Sequence, residues 1–381
     1  MIISKNKTPL QHSNLSLQKK SVFIITSEFL PSPGGIGNHA FSLSKYLNRN
    51  NIDVTVIAPK IHKADYIHFD KKEKFKILRY SGSKFFKIFS IIKLFLIENV
   101  KSNHSVVICT GQIPFIIFGI LNKFIQIKSI LIFHGHEIRM GNSLIKYISN
   151  YVVNNYNQVI AVSDFSGALL RGKLDKNKIQ IIYNGVDTRR FEKIHQKVKI
   201  RNIENLRLLT VGSLSRRKGQ HNVIKALPEI KKYFRNVSYH MVGPDNIKIE
   251  LTDLAKSLNI DDSIHFYGYL EDSELSTLFK ECDIFLMLSE NLPDGDVEGF
   301  GIAILEANYF GLPAIGSKGC GIDNAINNKR TGILIDSHNP IECRKAIQHI
   351  INDYQKFSLA SKKWALAHDW SKTINKYIKI I

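Results

Sequence analysis

The feature that most limits what this chain can fold into is a pattern that occurs twice. A short run of β-branched and apolar residues ends in a glycine-bearing turn, and the turn opens onto a helical period. The first copy runs SVFIIT at 21–26, PSPGGIG at 31–37, a helical pattern over 39–48 and a second strand over 53–58. The second runs LRLLTV at 206–211, GSLSRRKG at 212–219 and a helix over 220–234. Strand, glycine turn, helix, strand is the βαβ unit, and it demands a parallel sheet covered by helices. Further strands are expected at 106–110, 129–133 and 158–162, and again at 238–242, 263–267, 284–288, 313–316 and 332–335. The simplest account is an α/β chain of two Rossmann-like units in series, joined near 187–205. A chain of 381 residues with 44% hydrophobic content suits two cores better than one. The expected domains are 21–190 and 191–364. A polar, disordered extension at 1–20 precedes them, and a helical tail in two pieces follows over 364–381.

Charge separates the two halves. Residues 1–190 hold 27 basic and 10 acidic side chains, whereas residues 191–381 hold 26 and 23. A skew of +17 against +3 is not what a uniform codon bias produces. It points the first half at a polyanion: nucleic acid, an anionic membrane surface or a pyrophosphate-bearing lipid. The segment KFFKIFSIIKLFLIENVK at 84–101 belongs to that half. Its lysines Lys84, Lys87 and Lys93 border an apolar stretch, which suits either a helix lying in a membrane interface or a core helix with solvated lysines. No apolar run is long enough to span a bilayer, and the first twenty residues lack the apolar core of a signal peptide, so a cytoplasmic protein is expected. Cys109, Cys282, Cys320 and Cys343 are scattered and form no metal-binding or disulfide pattern.

Five local patterns carry chemistry. The strongest is DVEGFGIAILEA at 296–307: an acidic loop runs into glycines that open a helix, with seven residues between Glu298 and Glu306. Free N–H groups and the positive end of that helix, over 299–302, suit a nucleotide diphosphate. Glu298 can accept from sugar hydroxyls and Glu306, two turns down the helix, from ribose hydroxyls. RRKG at 216–219 places Lys218 where it can neutralise a leaving pyrophosphate. Gly34-Gly35 allows close approach of a phosphate but lacks the Lys-Ser/Thr end of a P-loop. FHGHE at 133–137 puts His134 at a strand end, where open α/β sheets place their ligands. Asp294 and Asp296 read as an acidic loop, and no essential metal is expected.

Taken together and in order, these pieces resemble the retaining glycosyltransferases of family 4, which have the GT-B fold. The resemblance rests on EFLPSPGGIG, FHGHE, AVSDFSGALL, IYNGVDTRRF, VGSLSRRKGQ, MVGPD, FYGYLEDSEL, DVEGFGIAILEANYFGLPAI and HDWSKTI, and covers about residues 21–381. The wording is most similar to the phosphatidylinositol mannosyltransferase branch and related bacterial surface-polysaccharide enzymes. It implies two Rossmann-like domains facing a cleft, with residues 365–381 crossing back to the first. It implies that Glu298 touches the donor sugar and Glu306 the donor ribose. Phe300, Gly301 and Ile302 would meet diphosphate and sugar, Lys218 the leaving phosphate, His134 the reacting sugar, and Gly34 and Gly35 the donor phosphates. The turn ending at Leu270 would hold the base. The family's usual arginine is replaced by Ser213, for which Arg216 or Arg217 can compensate. The acid after the family's later glycine pair is also missing, and residues 322–324 receive no role.

The expected activity follows from that resemblance: transfer of mannose or another hexose, with retention, from a GDP- or UDP-linked sugar to a lipid-linked or glycan acceptor. The pathway class would be lipopolysaccharide, capsule or exopolysaccharide synthesis, at the inner face of the membrane and without nucleic acid. Alternatives on the same architecture are a sugar-nucleotide epimerase, a phosphorylase, or a non-catalytic membrane-surface protein.

Overall fold

The computed structural model describes residues 20–381 apart from 33, 62–65, 100–104, 126, 140, 142 and 192–204. The extension at 1–19 and most of the expected joint at 187–205 lie outside the described residues. The first half runs β1 (Ser21–Thr26), α1 (Gly35–Arg49), β2 (Asp53–Pro59), α2 (Tyr66–Lys72), β3 (Lys76–Tyr80), α3 (Lys84–Asn99), β4 (Ser105–Thr110), α4 (Gln112–Ile125), β5 (Ser129–Phe133), α5 (Ser143–Val152), β6 (Gln158–Ala161), α6 (Asp164–Ala168) and β7 (Ile179–Ile181). The second runs β8 (Asn205–Val211), α7 (Gln220–Lys231), β9 (Asn236–Val242), α8 (Lys248–Ser257), β10 (Ile264–Phe266), α9 (Asp272–Glu281), β11 (Ile284–Met287), α10 (Ile302–Tyr309), β12 (Ala314–Ser317), β13 (Gly332–Ile335), α11 (Pro340–Asn352), α12 (Tyr354–Ala367) and α13 (Trp370–Ile378).

Both sheets are parallel. Their orders are β3-β2-β1-β4-β5-β6-β7 and β10-β9-β8-β11-β12-β13. Each reverses direction beside its first strand, at β1/β4 and β8/β11, and such a switch point opens a crevice at the strands' carboxyl ends. Alternation along β1 divides the first core. Val22 and Ile24 face one side with Leu43 and Tyr46, while Phe23 and Ile25 face the other with Ile91, Phe95, Phe115 and Phe118.

The tail has two parts, α12 on the second sheet's side and α13 beyond a break at His368-Asp369. There α13 leaves the second half and packs on α1. Trp370 is buried against His39 and Tyr46, with ring centroids at 5.2 and 6.2 Å. Val186 and Asp369 form a parallel bridge, and Val186 N–H donates to the His368 carbonyl while Trp370 N–H donates to the Val186 carbonyl. Thr188 Oγ1 adds a bond to Asp369 at 2.7 Å. The two stretches of chain that cross between the halves are therefore bonded to each other.

Candidate active site

The cleft is built from strand ends. After β8 the chain turns through Gly212 and Gly219. Gly219 has φ 73°, and a Cβ there would lie 1.8 Å from the Leu288 carbonyl oxygen, so only glycine lets the turn seat against β11. The turn delivers Arg217 and Lys218 inward and sends Arg216 outward to Glu250. After β11 the acidic loop returns beneath them, held by the Glu290 N–H on the Arg217 carbonyl and by the Asp296 N–H on Asp294 Oδ1. Glu298 is then buried between two cations, Lys218 Nζ at 2.6 Å and Arg217 Nη1. Arg217 also donates from Nε to Asp296 at 3.0 Å.

Burial would raise the Glu298 pKa, but Lys218 and Arg217 overcome it and hold the carboxyl at about 2. Burial pushes the Lys218 ammonium below its ordinary value, with Glu298 opposing. The group is thus an anion gripped by two donors whose charges a diphosphate could satisfy instead. Beside it Phe300 is buried, Gly301 takes φ 88° as the residue before α10, and no side chain caps that helix end. Glu306 sits one turn into α10 rather than two, because the helix begins at Ile302 and not at the first glycine.

Across the cleft, β5 delivers His134. Glu137 is fully buried and accepts from the N–H groups of His134 and Gly135, which folds the HGHE turn around one carboxylate. His134 Nε2 shares a hydrogen with Thr110 Oγ1 at 2.9 Å, so any donation to a sugar hydroxyl falls to Nδ1. Burial drives its pKa to about 3, with Glu137 opposing, and the ring is neutral at ordinary pH.

The two sides meet through glycines. A Cβ on Gly299 would lie 2.3 Å from the His134 carbonyl oxygen, and one on Gly295 would lie 2.6 Å from that of Arg139. Backbone therefore packs on backbone, and the cleft is closed. Asp164 at the start of α6 reaches Asn324 of the second half, and Tyr183 donates to Asp164.

The structure brings His134, Arg217, Lys218, Glu298 and the Phe300–Ile302 turn together at the centre. Gly34 and Gly35 open α1 on the first side; Gly34 leaves room for Glu28, whose Oε2 would lie 2.3 Å from a Cβ there. Leu270 and Glu306 lie on the second side. The lysines Lys87 and Lys93 are elsewhere, on α3, and the Lys84 side chain lies outside the described residues.

Three participants escaped the sequence reading. Glu28 is a partly buried carboxyl whose pKa burial raises, with His136 and Arg217 close enough to oppose this. Arg190 binds Glu306 and Asp272. Asn324, at the position given no role, holds Asp164. Glu28 and Arg190 stand inside quoted motifs and were findable by their charge; Asn324 was not, because its partner is 160 residues away.

Known proteins carry the same plan. Residues 33–190 match the model of Glycosyltransferase Family 4, and residues 190–372 match that of Glycosyl transferases group 1. A Salmonella typhimurium protein bearing the name colanic acid biosynthesis glycosyltransferase WcaL is 28% identical over 55% of this chain and 51% of its own, so the chain spans about half the length of that relative. The Mycobacterium tuberculosis GDP-mannose-dependent alpha-(1-6)-phosphatidylinositol monomannoside mannosyltransferase is 25% identical over 61% of this chain and 64% of its own. The structure of Anabaena Alr3699/HepE in complex with UDP and glucose superposes with a TM-score of 0.75 at 17% identity, covering 94% of this chain and 98% of that one. Contiguous family matches, two parallel sheets about one cleft and a returning tail helix agree: the chain belongs to glycosyltransferase family 4, with the GT-B fold.

Proposed function

We propose that this protein transfers a hexose from a nucleoside-diphosphate sugar to a lipid-linked or glycan acceptor, with retention at the anomeric carbon. The observation that carries the reading is the closed cluster of Arg217, Lys218 and Glu298 at the uncapped start of α10, facing His134. The bond from the anomeric carbon to the diphosphate oxygen breaks, and the acceptor oxygen bonds to that carbon from the same face. The acceptor's proton passes to the departing diphosphate oxygen. Lys218, Arg217 and the N–H groups at Gly301–Ile302 disperse the charge that builds there. Closure keeps water from the donor. The cations already supply the positive charge, and Arg217 occupies Asp296, so no metal is required. Glu298 then orients the sugar and Glu306 the ribose, with the base over Leu270 and the phosphates under Gly34 and Gly35.

Support for the donor class comes from the GDP-mannose dependence in the mycobacterial relative's name and from the UDP bound to HepE. Support for surface-polysaccharide synthesis comes from the colanic acid relative. Attachment to the inner membrane face fits α3: Ile91 and Phe95 enter the core, while Phe86 and Phe89 are 70% and 68% exposed. The neighbouring α4 adds Phe124, 81% exposed. No helix among the described residues is long and apolar enough to cross a membrane.

The test is a melting-point panel with UDP, GDP and their hexose conjugates, followed by product analysis with and without EDTA. A stabilising nucleotide, a glycoside product retaining the donor's anomeric configuration and EDTA resistance support the reading. Full conversion of donor to an epimer without acceptor overturns it, and loss of activity in EDTA overturns its metal-free part.

A further inference from the structure

One cation ties together the two walls of the pocket proposed for the nucleoside. Arg190 ends the short helical turn Thr188–Arg190 in the linker between the halves. Its Nε and Nη2 donate to the two carboxylate oxygens of Asp272 at 3.2 and 2.5 Å. Its Nη1 donates to Glu306 Oε1 at 2.6 Å. Asp272 is the first residue of α9, directly after the turn that carries Leu270, and Glu306 is one turn into α10. The guanidinium is clamped in its plane by a two-point contact on one side and spends its remaining arm on the other. Its stem lies by Phe191, with the guanidinium carbon 5.1 Å from that ring's centre.

The arrangement fixes what Glu306 can do. One of its oxygens already accepts from Arg190, and the carboxylate has further lone pairs to offer to hydroxyl donors. Arg190 holds one oxygen in place, so the carboxylate cannot turn away from the pocket. A ribose offers two adjacent hydroxyls to such a group. A deoxyribose offers one, and leaves a largely buried charged acceptor short of a partner. Asp272, on the far side of the same guanidinium, keeps the base turn in register with the ribose carboxylate.

We propose that Arg190 is a positioning and specificity-determining residue: it presents Glu306 to the ribose hydroxyls and so selects ribonucleoside over deoxyribonucleoside diphosphates. The proposal rests on the nucleotide-sugar reading above. It also makes the linker between the halves part of the nucleoside site, so the segment that joins the halves helps to judge the ligand.

The experiment is calorimetric titration of UDP, GDP and their 2′-deoxy counterparts into the full-length protein and into R190M, R190K and D272N, with donor KM and kcat measured in parallel. A hydrogen bond to a charged group sets the expected scale. The wild type favours the better ribonucleotide over its 2′-deoxy form by about 10- to 100-fold. R190M reduces that preference to less than about threefold, and donor KM rises by more than kcat falls. R190K keeps part of the preference, and D272N falls between. A purely structural role would weaken both nucleotides equally and leave their ratio intact, and that result in R190M overturns the proposal. If R190M does not fold, the same ratio in R190K and D272N decides. If the wild type binds neither nucleotide, the nucleotide-sugar reading itself has failed and this proposal with it.

Discussion

Asp164 and Asn324 grip each other across the cleft through two hydrogen bonds: the Asp164 backbone N–H donates to Asn324 Oδ1 at 2.8 Å, and Asn324 Nδ2 donates to the Asp164 carboxylate at 2.6 Å. Tyr183 adds its hydroxyl to Asp164 at 2.5 Å while its ring lies against Phe300, just before α10. The pair is solvent-facing, so its loss should cost about 1 kcal/mol, which shifts a closing equilibrium by about fivefold. In D164A and N324A, donor hydrolysis by water is expected to rise relative to transfer by about that factor, with little change in melting temperature. An unchanged ratio of free sugar to glycoside product would show that these residues do not govern closure.

Of the two arginines that could replace the one missing at Ser213, only Arg217 turns toward Glu298. Arg216 is mostly exposed and pairs with Glu250, whereas Arg217 enters the cleft. R217A, K218A and E298A are each expected to lower kcat by on the order of 100-fold, while R216A stays within about twofold. E306A should instead raise donor KM. Steady-state kinetics on the same donor and acceptor separate the cases, and a severe R216A with a mild R217A would reverse the assignment.

Stability should fall on acidification for a reason that the histidines supply. His39 is fully buried on α1, bonded through Nε2 to Tyr377 of α13, and burial lowers its pKa from 6.5 to about 3. Between those values the unfolded chain holds a proton that the folded chain does not. Its contribution therefore declines as pH drops below 6.5, by about 1.4 kcal/mol per unit, and stops declining near 3. His134 acts with the same sign. Denaturant unfolding of the wild type and H39Q at pH 6, 5 and 4 should give a shallower pH slope in the variant, by nearly one proton. Identical slopes would mean that the native ring is charged.

The apolar face of α3 and α4 should seek an interface. The wild type is expected to sediment with vesicles containing anionic lipid at low salt and to release as salt rises, because each lysine near such a surface contributes about 1 kcal/mol and is screened. Charge reversal at Lys84, Lys87 and Lys93 should abolish sedimentation while circular dichroism stays unchanged. Equal binding to neutral vesicles would leave the exposed phenylalanines without the charge-steered role.

Strands buried on both faces announced themselves in the sequence; those at the edges of the first sheet did not. β1 is an apolar run, β8 is one interrupted only by Arg207, and the spans expected for both lie within a residue of their ends. β3, KILRY, and β7, IQI, are edge strands with mostly half-buried side chains, and their mixed composition resembles a loop. The same contrast holds in the site. Glycines and cations clustered within one turn, such as Gly212, Lys218 and Gly219, are legible because their spacing is local. The environment of Glu298 became visible only once β8 and β11 lay side by side. The segment at 84–101 left two readings open, and the helix has both characters: Phe95 is core and Phe89 is surface.

The bonded crossing of Val186 with Asp369 has a mechanical consequence. A single tether would let the halves swivel in any direction, as on a ball joint. Two tethers stitched side by side behave as a hinge with two pins, which resists twisting and sliding and leaves one opening angle soft. Binding energy released in the cleft then drives a single coordinate, and each closure returns His134 and Glu298 to the same alignment.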